Sequence, residues 1–194
     1  MYIIGIDGSP EGVEPATRLL HEAMHAAQRE GATLFTKGVN NGIKTKTFRL
    51  SELEIPFHSG SLTFIPKGLR PIFEDMRQAD GFIFATPVNW FNPSSLMKCF
   101  VDWMTSLEDR YELEGKVAGV IAHCNDDGGN QAAMSLVAPL LHMGLMIPPY
   151  CAFYRNRNVA VNSDERWQMT DQVLVGQNVA RMIAIAKSNT RGWA

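Results

Sequence analysis

Apolar residues in this chain come in two arrangements. Tyr2–Ile6, Gly81–Thr86 and Lys116–His123 are short and nearly unbroken runs. Runs of that length without polar alternation predict strands covered on both faces. Lys46–Leu50 reads as a second strand, preceded by Thr33–Lys37 as a possible extra strand or hairpin arm and by a turn at Asn40–Gly42. The fifth strand is expected within Met146–Phe153, delayed by Pro148 and Pro149. Between the runs, apolar positions recur every three or four residues. That spacing predicts helices over Pro15–Glu30, Leu69–Ala79 and Ser94–Leu107, from Asn130 to about Met143, and over Glu165–Lys187. Strands alternating with helices predict a doubly wound three-layer α/β/α sandwich around a five-stranded parallel sheet, order 2-1-3-4-5.

Bulk properties narrow the class. The 194 residues make one domain, 1–194, with room for a core of its own. A net charge of -2 gives no reason to expect nucleic acid or an anionic membrane as partner. No apolar run approaches the roughly 18 residues of a membrane span. Met1–Asp7 enters a strand directly, without the basic region of a signal peptide, so the cytoplasm is the expected location. Cys99, Cys124 and Cys151 are far apart and form no Cys-x-x-Cys, which predicts reduced, mostly buried thiols and no metal cluster. His21–His25 (HEAMH) matches the His-Glu-x-x-His zinc signature. Projected at about 100° per residue, however, both histidines point away from the Leu19, Leu20, Ala23 and Ala27 face that must cover the sheet. The expectation is a solvated pair and no metal site. Pro56–Lys67 (PFHSGSLTFIPK), the longest connection, reads as a surface loop or a lid.

Candidate chemistry lies in three strand-to-helix loops, which in such a sheet open on one edge. Gly8–Thr17 (GSPEGVEPAT) offers small residues, the Ser9 and Thr17 hydroxyls and a helix N-terminus, the ingredients of an anion cradle or of a plain turn. Thr86–Asn92 combines the fixed backbone of Pro87 with main-chain groups of Val88 and Asn89 and the aromatic face of Trp90. Asn125–Asn130 (NDDGGN) brings Gly128 and Gly129, which permit positive φ and close approach to a ligand.

These blocks resemble the NAD(P)H-dependent FMN reductase family of flavodoxin-like flavoproteins. The similarity rests on IGIDGSP at the start, ADGFIFATPVNWFNPSSLMKCFVDW over Ala79–Trp103 and GGNQAAMSLVAPLLHMGLMIPP from Gly128. The resemblance implies FMN as cofactor and NAD(P)H as co-substrate, with hydride passed through the flavin to a quinone, another flavin or a similar small acceptor. It implies that Ser9, Pro10 and Thr17 hold the phosphate. Pro87, Val88, Asn89 and Trp90 would run along the ring, and Asn125, Gly128 and Gly129 would close its far side. It also implies a homodimer or homotetramer, with helix Ser94–Met104 as the pairing element. The cofactor carries the redox chemistry, so no side chain is assigned as catalytic.

The phosphate loop departs from the family pattern. Glu11 stands where the family carries Arg, Ala16 precedes Thr17, Glu14 adds a further acid, and Asn89 replaces the usual Tyr or Phe. A Glu11 carboxylate turned into water costs about 0.7 kcal/mol per phosphate charge at about 6 Å; turned inward, at an effective dielectric near 20, it costs about 3 kcal/mol. The first lowers affinity a few-fold to about tenfold, and the second is enough to abolish FMN binding at ordinary concentrations. Two alternatives follow: a flavodoxin-like interaction module with weak or lost flavin binding, and a nucleotide binder, since IGIDGSPEG also resembles the universal stress protein family.

Overall fold

A computed structural model describes residues 1–11, 14–34, 43–60, 64–108, 110–159 and 171–188. Strand β1 (Tyr2–Asp7) pairs in parallel with β2 (Lys44–Arg49) on one side and β3 (Gly81–Asn89) on the other. β3 continues to β5 (Val117–Cys124), and β5 to β6 (Ala152–Asn156). A two-residue strand, β4 (Asn92–Pro93), folds back antiparallel on the end of β3. The parallel order β2-β1-β3-β5-β6 is the predicted one, with β4 appended as a hairpin arm.

The strands alternate their side chains between two cores. Ile4, Ile6, Phe82, Phe84, Val120 and Ala122 face α2 (Arg70–Gln78), α3 (Ser95–Trp103) and α5 (Gly129–His142). Ile3, Ile83, Ala85, Val117 and Ile121 face α1 (Pro15–Leu34) and α6 (Gln172–Ser188). A continuous apolar strand is the expected signature of burial on both faces. The edge strand β2, KTKTFR, is exposed along its first half and carries the charges such an edge needs.

Several boundaries move, each for a local reason. α1 runs to Leu34, so Thr33 ends a helix instead of opening a strand; Phe35–Lys37 and the Asn40–Gly42 turn lie outside the described residues. Leu50, expected to end β2, begins a 3-10 turn. The helix expected over Ser94–Leu107 is broken at Met104 into α3 and the short α4 (Thr105–Glu108). The fifth parallel strand starts late: Met146 makes a lone bridge to Val117, and pairing resumes only beyond Pro148 and Pro149. In the last helix, 165–170 lie outside the described residues.

The long connection packs on a helix flank. The Trp103 indole donates to the Pro56 carbonyl at 2.7 Å, and His58 meets the same ring edge-on at 4.6 Å. Trp103 lies about 12 Å along α3 from the loop that begins it. The described ends of the connection are therefore anchored beside the helix; residues 61–63 lie outside the described set. Among the described residues, no helix is long and apolar enough to cross a membrane.

Candidate functional site at the C-terminal rim of the sheet

The strand order reverses direction between β1 and β3, so α1 and α3 leave on opposite faces and a crevice opens where they part. Ser94 ties its two walls. This fully buried residue caps α3, its hydroxyl accepting from Met97 N–H at 3.1 Å, and the same hydroxyl donates to the Gly8 carbonyl at 2.6 Å. Its own N–H goes to the Thr86 hydroxyl at 2.9 Å. Loops one and two are thus joined through one side chain.

The second loop is a hairpin. Asn89 pairs with Asn92, and the two residues between them, Trp90 (φ 47°) and Phe91 (φ 66°), are both left-handed. Tips of this shape favour Asn and Gly, and aromatic residues there are strained by about 1 kcal/mol or more each. Trp90 is 92% exposed, so the strained tip presents an uncovered aromatic face. Pro87 and Val88 are half-buried, and Asn89 is exposed.

Phe91 joins the second loop to the third. Gly128 caps α5 with φ at 86°, and a Cβ placed there would stand 2.7 Å from the Phe91 Cα. A Cβ on Gly129 would collide with the Tyr154 ring at 2.3 Å. The two glycines therefore admit the chain's own aromatics at these positions. Asn125 is exposed beside them. The loop is fastened to the end of β6: Asn158 donates to the Asp126 carboxylate at 2.6 Å, and Arg157 N–H to the Cys124 carbonyl at 2.9 Å. A cleft of about 170 Å³ lies between Phe91, Cys124, Gly128 and Tyr154. Pockets that enclose whole ligands run from roughly 300 Å³. This one admits the edge of a planar ring, whose remainder would lie across the open rim beside Trp90.

The first loop holds its polar groups inward. Ser9 and Thr17 are buried, Pro10 and Glu11 exposed. The buried Asp7 carboxylate, at the end of β1, accepts Ser9 N–H at 3.0 Å and the Thr17 hydroxyl at 2.8 Å. Glu14 is half-buried and its pKa is raised, first by burial and then by the charges of Asp7 and Glu11. The inward carboxylate at this loop is thus Asp7, while Glu11 faces water.

Positive charge reaches His123 from both sides, from Arg155 and Arg157 at the end of β6 and from Arg18 at the start of α1. His123, near the end of β5, is held below its usual pKa by burial and then by Arg157, Arg155 and Arg18. Of the cysteines, Cys151 is buried and its thiol pushed up to about 12, Cys124 is buried beside the cleft with its thiol raised by burial, and Cys99 is half-buried. His21 and His25 are both exposed on α1. Among the described residues, no group of three or more His, Cys, Asp or Glu side chains is placed to hold a metal.

The ten sequence-predicted residues all fall on one rim, and the hydrogen bonds of Ser94 and the contact of Phe91 bring their loops together. Sequence reasoning missed Asp7, Ser94, Phe91, Cys124 and Tyr154. Asp7 left a readable signal: an acid closing an otherwise apolar strand, YIIGID, has nowhere to go but a polar partner. The ring side of the site suits a flavin. The phosphate side suits one less well, because its two hydroxyls are buried and the Ser9 amide and the Thr17 hydroxyl are turned to Asp7.

A family model described as NADPH-dependent FMN reductase matches residues 1–158. An iron-sulfur flavoprotein of Methanocaldococcus jannaschii is 28% identical over 145 residues, covering 71% of this chain and 69% of that protein. An NAD(P)H dehydrogenase (quinone) of Methanosarcina barkeri is 34% identical over 86 residues, covering 43% of this chain and 41% of that one. Among solved structures, RosB with a bound 8-demethyl-8-formylriboflavin-5'-phosphate intermediate superposes with a TM-score of 0.76 at 15% identity, over 98% of this chain and 82% of RosB. Identity that low speaks to the shared fold alone.

Proposed function

Because the chain belongs to the NADPH-dependent FMN reductase family, we propose that it passes a hydride from a reduced nicotinamide, by way of FMN at this rim, to a small acceptor such as a quinone or a second flavin. Bound FMN supplies the ability to take up a hydride and release electrons; the chain supplies position and electrostatics. Pro87, Val88, Asn89 and Trp90 flank the ring in this reading. Asn125, Gly128 and Gly129 close its far side, with Phe91 as the contact that seats that loop. Ser9, Pro10 and Thr17 stand at the ribityl-phosphate end. Donor and acceptor take turns over the exposed face beside Trp90, which requires one to leave before the other enters. The protein works in the cytoplasm as a homodimer or homotetramer, paired through α3.

One observation carries this reading: three loops spread over more than a hundred residues of sequence are joined at the C-terminal edge of a parallel sheet by Ser94 and by the Phe91–Gly128 contact. Open α/β sheets bind their ligands at that edge. The test is the visible absorbance of the purified protein mixed with excess FMN and desalted, followed by NADH and NADPH oxidation with a quinone. Retained flavin and quinone-dependent oxidation of either nucleotide are expected. Colourless protein that oxidises neither nucleotide overturns the reading.

A further inference from the structure

The group at the head of the first loop is a complete anion site with its anion already present. Asp7 is 2% exposed, Ser9 2% and Thr17 3%. One Asp7 oxygen takes the Ser9 N–H at 3.0 Å; the other takes the Thr17 hydroxyl at 2.8 Å, and that hydroxyl lies 3.1 Å from the Ser9 hydroxyl. A main-chain amide and two hydroxyls, at a strand end and in the first turn of a helix, are what a phosphate oxygen would seek. Here a carboxylate tethered to β1 has the amide and the Thr17 hydroxyl, while the Ser9 hydroxyl accepts from Thr17. Among the described residues, no cation forms an ion pair with Asp7 that would free those donors.

We infer that Asp7 is an internal stand-in for the 5′-phosphate, so that the protein selects its flavin by the ring and side chain and takes riboflavin about as well as FMN. The inference rests on the flavin site proposed above. A phosphate approaching this loop finds the Ser9 amide and the Thr17 hydroxyl engaged by a buried carboxylate, on a loop that also carries the exposed Glu11 and the half-buried Glu14. Uncompensated like charges at short range are unfavourable in proportion to their burial. The phosphate that normally tightens binding at such a loop therefore adds nothing here.

The experiment is a titration of flavin-free full-length protein with FMN and, separately, with riboflavin, read by quenching of flavin fluorescence. Wild-type dissociation constants within about threefold of each other are expected. Asp7→Ser removes the carboxylate and leaves a hydroxyl. It should tighten FMN by at least about tenfold, the worth of one charge-assisted hydrogen bond, and leave riboflavin unchanged. Asp7→Asn keeps the shape without the charge and should move FMN in the same direction by less. Far-UV circular dichroism establishes folding, and if Asp7→Ser fails to fold, the wild-type ratio and Asp7→Asn decide. A wild-type preference for FMN of about a hundredfold or more, or parallel changes for both flavins, overturns the inference while leaving the flavin site standing. Folded protein that binds neither flavin in any variant overturns both.

Discussion

Both ends of the sheet carry a carboxylate at the margin of the core, and they are treated in opposite ways. At the N-terminal end, Asp80 accepts Tyr2 N–H at 2.7 Å and meets cations: Lys187 at 2.9 Å and the chain's amino terminus at 3.9 Å. Lys116 sits beside it, donating to the Arg77 and Ala79 carbonyls that end α2, with its own pKa lowered chiefly by burial. Asp80, Lys116 and Lys187 each have a counter-charge or a carbonyl, and the effect is to pin elements together. At the C-terminal end, the donors to Asp7 among the described residues are neutral, the Ser9 amide and the Thr17 hydroxyl. A structural pin compensates its charge locally; a site leaves some field uncompensated for a visitor. In this flavin-dependent oxidoreductase, the two ends of β1 differ in how the adjoining carboxylate is compensated.

The comparison breaks most sharply at the third loop. Gly128→Val forces a β-branched residue to φ 86° with its Cβ against the Phe91 backbone. It should cost about 2–3 kcal/mol in urea denaturation and weaken flavin retention as well, because the hairpin tip is displaced. An unchanged flavin affinity would show that the Phe91–Gly128 contact does not set the site.

A smaller effect is expected from His123. Its folded pKa lies below the 6.5 of the free side chain, so the unfolded chain takes up the proton first as pH falls. Stability should therefore decline with falling pH between 6.5 and the lower folded value, then level off with respect to this group. His123→Gln should flatten that part of the profile, read as the urea midpoint at neutral pH and about one unit below the free-histidine value. The same slope in wild type and variant would remove His123 as its source.

The smallest effect belongs to the pinned end. Asp80→Asn keeps an acceptor for Tyr2 N–H and loses the pairing with Lys187, which is 47% exposed. Solvent screening limits the loss to about 0.5 kcal/mol, and flavin affinity should not move. A change in flavin binding there would erase the distinction between the two ends.

The sheet was legible because burial on both faces leaves its mark residue by residue: Phe82, Ile83, Phe84 and Ala85 admit no other reading. The rim was only partly legible. Strand-to-helix order placed the three loops on one edge, but nothing in Asn-Trp-Phe-Asn announces a hairpin, since its tip lacks the glycine that usually marks one. The partners of Gly128 and Gly129 were invisible for a different reason: Phe91 and Tyr154 reach them only through tertiary packing. Glu11, conspicuous in sequence as an acid replacing a cation, faces water. Asp7, which looked like a strand end, is the carboxylate that faces inward. Sequence shows which charges are unusual; burial decides which of them act.

Ser94 has a consequence beyond the crevice. Its single hydroxyl holds the Gly8 carbonyl of the first loop while it caps the first turn of α3, the helix proposed for subunit pairing. On the proposed pairing through that helix, loading of the pocket and association of protomers would be coupled, and thermodynamic reciprocity would make each report on the other.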